Sequence, residues 1–70
     1  MLARNLRRLR RERAWSQHDL AAEANVRQAL ISALEVGNAN PTLDSLDRIA
    51  AALKVQVTDL LAASHPPDTR

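Results

Sequence analysis

Apolar residues recur along the chain at helical spacing, in short segments separated by polar stretches. Leu2, Leu6 and Leu9 are spaced i, i+4 and i+7, and arginines occupy three of the five positions between them. This spacing predicts a first helix over roughly residues 2–13. The chain contains no Phe or Tyr, and no run of Val, Ile or Thr alternates with polar residues over a useful length. The pattern therefore predicts an all-α protein.

Two further short helices are indicated by residues that start and stop helices. Ser16 is suited to cap a second helix, with Asp19 reaching back toward it in a capping box. We expect this helix to end near Asn25, which tolerates the left-handed conformation. A third helix over about 28–35 ends before Gly37, the only glycine of the chain. A short helix, a tight turn and a second short helix predict a helix-turn-helix.

The second half of the sequence predicts two more helices. Thr42 is the expected cap of the fourth, and the fifth covers about residues 57–63. The expected inner face of the fourth helix consists of Leu43, Leu46, Ile49, Ala50 and Leu53. The final segment, SHPPDTR, is polar and rich in proline. We therefore predict one domain over residues 1–63 and a flexible C-terminal tail over residues 64–70.

Composition limits the chemistry that the chain can perform. The chain has 70 residues and no cysteine, so it can form neither a disulfide nor a thiolate metal site. His18 and His65 are far apart in sequence and accompany no catalytic or metal-binding motif. No apolar run approaches the roughly 18 residues of a membrane span. We expect a cytoplasmic protein that is not an enzyme and has no catalytic site, metal site or cofactor.

The charges are distributed unevenly between the two halves of the chain. Residues 1–37 contain seven arginines and four acidic residues, a balance of +3, whereas residues 38–70 contain three basic and four acidic residues, a balance of −1. An excess of positive charge favours an anionic partner, which can be nucleic acid, an acidic protein or an anionic membrane surface. Membrane binding through the first helix is the weakest of these, because its leucines would have to leave the core.

Several short motifs, in order, resemble one known family. They are LRRLRRER, SQHDLA, ISALEVG, NANPTLDSL and IAAALKVQVTDLL, and together they extend from Leu6 to Leu61. The set resembles the lambda-repressor-like helix-turn-helix family of phage repressors, Cro proteins and bacterial XRE-type regulators. The resemblance implies a compact five-helix domain that places its third helix in the major groove of a double-stranded DNA operator. It also implies a transcription regulator, either a repressor or an autoregulator, that acts as a homodimer.

Two groups of residues are expected to contact DNA, in part from the resemblance and in part because Ala29, Ser32 and Ala33 point away from the core at 100° per residue. The expected base contacts are Gln28, Ala29, Ser32 and Ala33, and the expected phosphate contacts are Gln17, Arg27, Asn38 and Asn40. Chemistry supports the base contacts: a Gln can bond to N6 and N7 of adenine, and Ala can contact the thymine methyl group. The start of a helix attracts phosphate, which suits Gln17. For Asn38 and Asn40, a role as simple turn formers is equally consistent with the sequence.

The resemblance also implies a structural ion pair. Arg10 and Glu35 match a pair that joins the first helix to the end of the third in phage repressors of the family. For the dimer contact we expect Val55, Val57, Leu60 and Leu61, although core packing explains any one of them equally well. Several residues depart from the family pattern. Among them, Arg27 replaces a Ser or Thr cap, and Lys54 replaces a glycine after the fourth helix.

One alternative function remains open from the sequence. The outward side chains of the third helix are mostly small or apolar, so the fold could instead serve as a protein-interaction module, with a toxin or another protein as its partner. Retention of Gln17, Gln28 and the basic half favours DNA. The sequence does not distinguish a phage regulator from a restriction-modification controller or an antitoxin.

Overall fold

The computed structural model describes residues 2–62 and contains five helices in that range. They are α1 (Leu2–Glu12), α2 (Gln17–Ala24), α3 (Gln28–Glu35), α4 (Leu43–Leu53) and α5 (Val57–Leu61). No strand occurs among these residues, and the predicted all-α, five-helix fold is confirmed. The predicted end of the domain at residue 63 and the predicted tail over 64–70 lie outside the described residues.

All five helices contribute to one hydrophobic core. Fully buried side chains come from every helix: Leu6, Leu20, Ile31, Ile49, Leu53 and Leu60. Because each helix places an apolar stripe on the same core, none can be removed without exposing the others. None of the helices in residues 2–62 is long and apolar enough to cross a membrane.

Leu43 corrects one prediction for α4. It was expected on the inner face, but 68% of it is exposed. Leu43 is the first residue of the helix and lies about 60° around the helix axis from Leu46, at the edge of the apolar face. The neighbouring inner positions Leu46, Ile49 and Leu53 are buried as predicted.

Each of the first four helices is followed by a residue in the left-handed conformation. The backbone N–H after each such residue donates to a carbonyl five residues earlier, at N to O distances between 2.8 and 3.1 Å. This Schellman arrangement satisfies carbonyl groups that the helix end leaves free. The left-handed residues are Ala14, Asn25, Gly37 and Lys54. Asn25 and Gly37 suit the conformation, whereas Ala14 and Lys54 carry the steric strain of a Cβ.

The N-termini of α2 and α4 are capped by the side chains of Ser16 and Thr42, and at α5 the backbone N–H of Gln56 donates to Asp59 Oδ2 at 2.8 Å. Ser16 Oγ accepts from Asp19 N at 3.0 Å while Asp19 Oδ2 accepts from Ser16 N at 2.8 Å, which confirms the predicted capping box. Thr42 Oγ1 accepts from Ser45 N at 3.0 Å at the start of α4. By contrast, Arg27 makes no side-chain hydrogen bond to the start of α3. One N-terminus of the helix-turn-helix is therefore capped and the other is not.

Two polar side chains of the α1 region tether distant helices, and the sequence did not predict either of them. Asn5 is buried, and its Nδ2 donates to the carbonyl oxygens of Leu60 at 2.9 Å and Ala62 at 2.7 Å. Arg13 donates to the carbonyl oxygens of Leu9 at 2.8 Å and of Leu53. These bonds join α1 to the ends of α5 and α4, where helix carbonyls lack partners within their own helix.

The strain at Lys54 gives a stability prediction. Lys54 has φ 60° and ψ 42°, so Lys54→Gly should raise the free energy of unfolding by about 0.5–1 kcal/mol, after the greater flexibility of glycine in the unfolded chain is counted. Urea unfolding followed by the fluorescence of Trp15 measures this difference. The matched control is Ala51→Gly at an exposed position inside α4, which should lower the same free energy by about 0.5–1 kcal/mol. Equal losses in both variants would show that Lys54 is not strained.

Candidate nucleic-acid interface

The turn between α2 and α3 is fixed on both sides. Asn25 adopts φ 57° and ψ 47° and ends α2, and the N–H of Val26 donates to Ala21 O at 3.0 Å. On the outer side, Arg48 Nη1 of α4 donates to Asn25 O at 3.2 Å. Arg48 also pairs with Asp44 at 2.9 Å. The angle between α2 and α3 is therefore held by the turn itself and by α4.

A buried ion pair holds α3 against α1. Arg10 Nε lies 2.6 Å from Glu35 Oε2, and Arg10 Nη2 lies 2.9 Å from Glu35 Oε1. The two side chains are only 12% and 4% exposed, respectively. The third nitrogen of the guanidinium, Nη1, donates to Trp15 O at 2.8 Å. Arg10 thus joins α1, the connection to α2 and the last residue of α3, as a planar guanidinium can and an ammonium group cannot.

Both members of the pair stay charged at neutral pH. Burial raises the pKa of Glu35, but hydrogen bonds from Arg10 and Gln17, together with the charges of Arg10 and Arg7, outweigh it and hold that pKa below its usual value. The hydrogen bond to Glu35 raises the pKa of Arg10, against the opposing effect of burial. Desolvation of two charges is costly, and the bidentate geometry with its additional hydrogen bonds is what offsets that cost.

Gln17 lies beside this ion pair. It occupies the first residue of α2 and is half-buried, and its Nε2 donates to Glu35 Oε1 at 3.2 Å. The sequence predicted Gln17 as a phosphate contact but did not predict the bond to Glu35. A Gln followed at an interval of 18 residues by a Glu carries no local signal, because only the folded chain brings the two together.

The outer face of α3 is small and exposed. Gln28, Ala29 and Ser32 are exposed, whereas Ile31 and Leu34 are buried on the opposite face. Ala33, also predicted as a base contact, is half-buried, and its carbonyl oxygen accepts from the N–H of Asn38 at 2.8 Å. The loop after Gly37 therefore begins close to Ala33. Toward the end of the helix the face becomes apolar, with Val36 72% exposed.

The predicted phosphate contacts flank this face. Arg27 lies at the N-terminus of α3, and Asn38 and Asn40 lie in the loop after it; all three are exposed. Gln17 is at the N-terminus of α2. The first turn of α3 has no side-chain cap, whereas in α2 the N–H of Asp19 already donates to Ser16 Oγ. Backbone N–H groups left free at a helix start favour anions. The predicted base and phosphate contacts thus share the α2–α3 part of the molecule.

The predicted dimer contacts do not form one exposed patch. Leu60 is 0% exposed, so it is a core residue of the monomer and its predicted role in a dimer contact is wrong. Val55 and Val57 are half-buried and pack against the core, whereas Leu61 is 50% exposed. Periodicity could not separate these roles because α5 has only five residues, little more than one turn.

Comparison with known proteins identifies the family. Residues 6–60 match the helix-turn-helix family model. The chain belongs to this family. A hypothetical transcription factor of Neisseria meningitidis is 36% identical over 70 residues, covering 100% of this chain and 63% of that protein. The chain thus spans less than two thirds of that relative's length.

Solved structures of the same family have the same fold. The N-terminal DNA-binding domain of SinR from Bacillus subtilis superposes with a TM-score of 0.86 at 30% identity, covering 94% of this chain and 97% of that one. SinR in complex with DNA superposes with a TM-score of 0.84 at 30% identity, covering 89% and 100% of the two chains. The fold of this helix-turn-helix chain is therefore that of DNA-binding domains of known structure.

The buried ion pair predicts how stability depends on pH. Glu35→Gln leaves Arg10 buried without its counter-charge and should lower the free energy of unfolding by about 3 kcal/mol at pH 7. Because folding lowers the pKa of Glu35, its contribution is complete above the unfolded value of 4.5 and is lost as the pH falls through the lower folded pKa. The difference between the two proteins should therefore shrink below about pH 4.5. Urea unfolding of the wild type and of Glu35→Gln at several pH values measures this difference in the free energy of unfolding.

The matched control for this prediction is Glu12→Gln. Glu12 pairs with Arg8 at 3.1 Å on the surface, with both side chains 53% exposed. Its removal should change the free energy of unfolding by less than about 0.5 kcal/mol at any pH, because exposed pairs contribute little. A constant difference between wild type and Glu35→Gln from pH 7 to pH 3 would contradict the assigned role of the Glu35 charge.

Proposed function

We propose that this protein binds double-stranded DNA sequence-specifically as a small transcription regulator, with α3 in the major groove. The observation that carries the proposal is the arrangement of α2 and α3, in which Gln28, Ala29 and Ser32 are exposed on the outer face of α3 and Gln17 joins the start of α2 to Glu35 at the end of α3. The family supports it, since SinR, a structural relative, has been solved in complex with DNA.

The outer face of α3 would read bases mainly through shape and methyl groups. Gln28 is the one long polar side chain on the first turn and can bond to N6 and N7 of adenine. Ala29 and Ala33 can contact thymine methyl groups, and Ser32 can donate to or accept from several bases. Small side chains allow the helix backbone to lie deep in the groove. A face of this kind gives modest discrimination at each half-site.

Affinity would come mainly from phosphate contacts. Gln17 and Arg27 stand at the starts of the two helices, where backbone N–H groups already favour an anion. Asn38 and Asn40 are placed to contact a second stretch of the DNA backbone from the loop after α3. Arginines of α1 add long-range attraction, consistent with the +3 balance of residues 1–37.

A single domain that discriminates only modestly between DNA sequences gains specificity by binding two half-sites at once. This favours a symmetric homodimer on half-sites about one helical turn, or 34 Å, apart. With Leu60 buried, the residues left for the dimer contact are Val55, Val57 and Leu61, of which only Leu61 is well exposed. We propose a repressor or autoregulator that works in the cytoplasm, where its operator DNA is found.

A protein-interaction role is the second candidate. Val36 and Leu43, at the two ends of the loop between α3 and α4, are 72% and 68% exposed. Exposed apolar side chains of this size are suited to contact with another protein, such as a toxin. This role would leave the exposed Gln28 at the start of α3 unused.

Selection from random duplexes by the purified protein, at two salt concentrations, tests the proposal. Sequencing of the bound pool should recover a two-fold symmetric site with half-sites about one helical turn apart. Affinity for that site should fall steeply with salt because bound phosphates release counterions. A pool with no enriched sequence at either salt concentration would reject DNA reading and favour the protein-interaction role.

Substitution of single contacts separates base reading from phosphate binding. Gln28→Ala should cost about 1–3 kcal/mol on the selected site and relax the preference at one base pair. Gln17→Ala should instead weaken binding to the selected site and to an unrelated duplex by the same factor. Filter binding or fluorescence anisotropy on both duplexes measures the difference. An equal loss on both duplexes for Gln28→Ala would show that Gln28 does not read a base.

A further inference from the structure

We infer that Glu35 is a positioning residue for Gln17: its carboxylate holds the amide of Gln17 so that one N–H remains directed at a DNA phosphate. The inference rests on the proposed phosphate contact of Gln17. It assigns the buried ion pair a second role, since the pair that fixes α3 would also orient a phosphate-binding group at the start of α2.

The hydrogen bond determines which end of the amide faces inward. Glu35 Oε1 can only accept, so the atom of Gln17 that lies 3.2 Å from it is the amide nitrogen and not the amide oxygen. That nitrogen carries two hydrogens. One donates to Glu35, and the other remains available on the same planar group. The amide is thereby presented to a phosphate as a donor.

Glu35 is held through both of its carboxylate oxygens, which makes it a suitable anchor. Arg10 binds both carboxylate oxygens, at 2.6 and 2.9 Å, and the Glu35 side chain is only 4% exposed. Gln17 is attached to this fixed group from a half-buried position at the start of α2. Rotamer freedom of Gln17 is then lost on folding and is not lost again on binding DNA.

The charge of Glu35 does not oppose phosphate at this place. Arg10 is hydrogen-bonded to the carboxylate and neutralises it, and Arg7 lies near enough for its charge to act on Glu35 as well. The three groups together carry one excess positive charge. A carboxylate acceptor also polarises the amide, and hydrogen bonds to ionised groups are the stronger kind.

A double-mutant cycle tests the inference. The variant Arg10→Met/Glu35→Leu removes the acceptor but replaces the ion pair with apolar side chains, a change that other buried pairs tolerate without unfolding. It is combined with Gln17→Ala, and the Kd for the selected duplex is measured for all four proteins. Gln17→Ala should weaken binding about tenfold in the wild-type background. In the Met/Leu background it should weaken binding less than about twofold, because the amide there has already lost its orientation.

A second measurement is made on the protein without DNA, so that its result depends neither on the affinity for DNA nor on the fraction of the protein that is folded. The ¹⁵N relaxation of the Gln17 side-chain amide should show restricted motion in the wild type, while the exposed Gln28 amide serves as the mobile reference. In Glu35→Gln, which keeps an oxygen acceptor, the Gln17 amide should remain ordered. In the Met/Leu variant it should become as mobile as that of Gln28.

The outcomes separate this inference from the proposed function. A mobile Gln17 amide in the wild type, or an equal effect of Gln17→Ala in both backgrounds, would overturn the positioning role and leave the phosphate contact standing. No effect of Gln17→Ala on Kd in the wild type would remove the phosphate contact and the inference with it. Ordered Gln17 together with the predicted coupling would establish the role.

Discussion

The ion pair between Arg10 and Glu35 is the interaction on which the arrangement of the first three helices depends. Arg10 also holds the carbonyl of Trp15, and Glu35 also accepts from Gln17, so α1, its connection to α2, the start of α2 and the end of α3 meet at one buried point. Hydrophobic contact is non-directional and the core of a 70-residue chain is small. The bidentate ion pair requires one relative orientation of the helices, which hydrophobic contacts alone do not.

The fixed orientation of α3 matters because the side chains on its exposed face are small. Ala29, Ser32 and the half-buried Ala33 offer few hydrogen bonds, so a base contact made by this face depends on where the helix backbone lies relative to the groove. A long flexible side chain can compensate for a shift of the helix, but an alanine methyl group cannot. A helix with such a face therefore needs a fixed position more than one that carries several long polar residues. The buried pair at its last residue and the anchored turn before it provide that position.

The sequence predicted the helices well because each one repeats its apolar residues at helical spacing and carries local signals such as Ser16 with Asp19. It failed where a role depends on distant contacts. Asn5 binds the carbonyl of Leu60, 55 residues away, and nothing near Asn5 indicates this. The Arg10–Glu35 pair was predicted only through family resemblance, for the same reason. Leu43 was misplaced because spacing alone does not show where the apolar face of a helix stops being covered.

The two ends of α3 differ in chemistry, and this bears on the two candidate functions. The first turn presents Gln28 beside an uncapped N-terminus, which suits a polynucleotide, whereas the last turn presents Val36, close to the loop that ends at Leu43. That loop also contains Asn38 and Asn40, the predicted contacts for a second stretch of DNA backbone. Val36 and Leu43 lie on either side of these asparagines in the sequence, so a protein bound to both residues would meet the same loop. The two functions would thus share one surface, so evidence of a protein partner alone would not exclude DNA binding; competition between partner and duplex is the informative comparison.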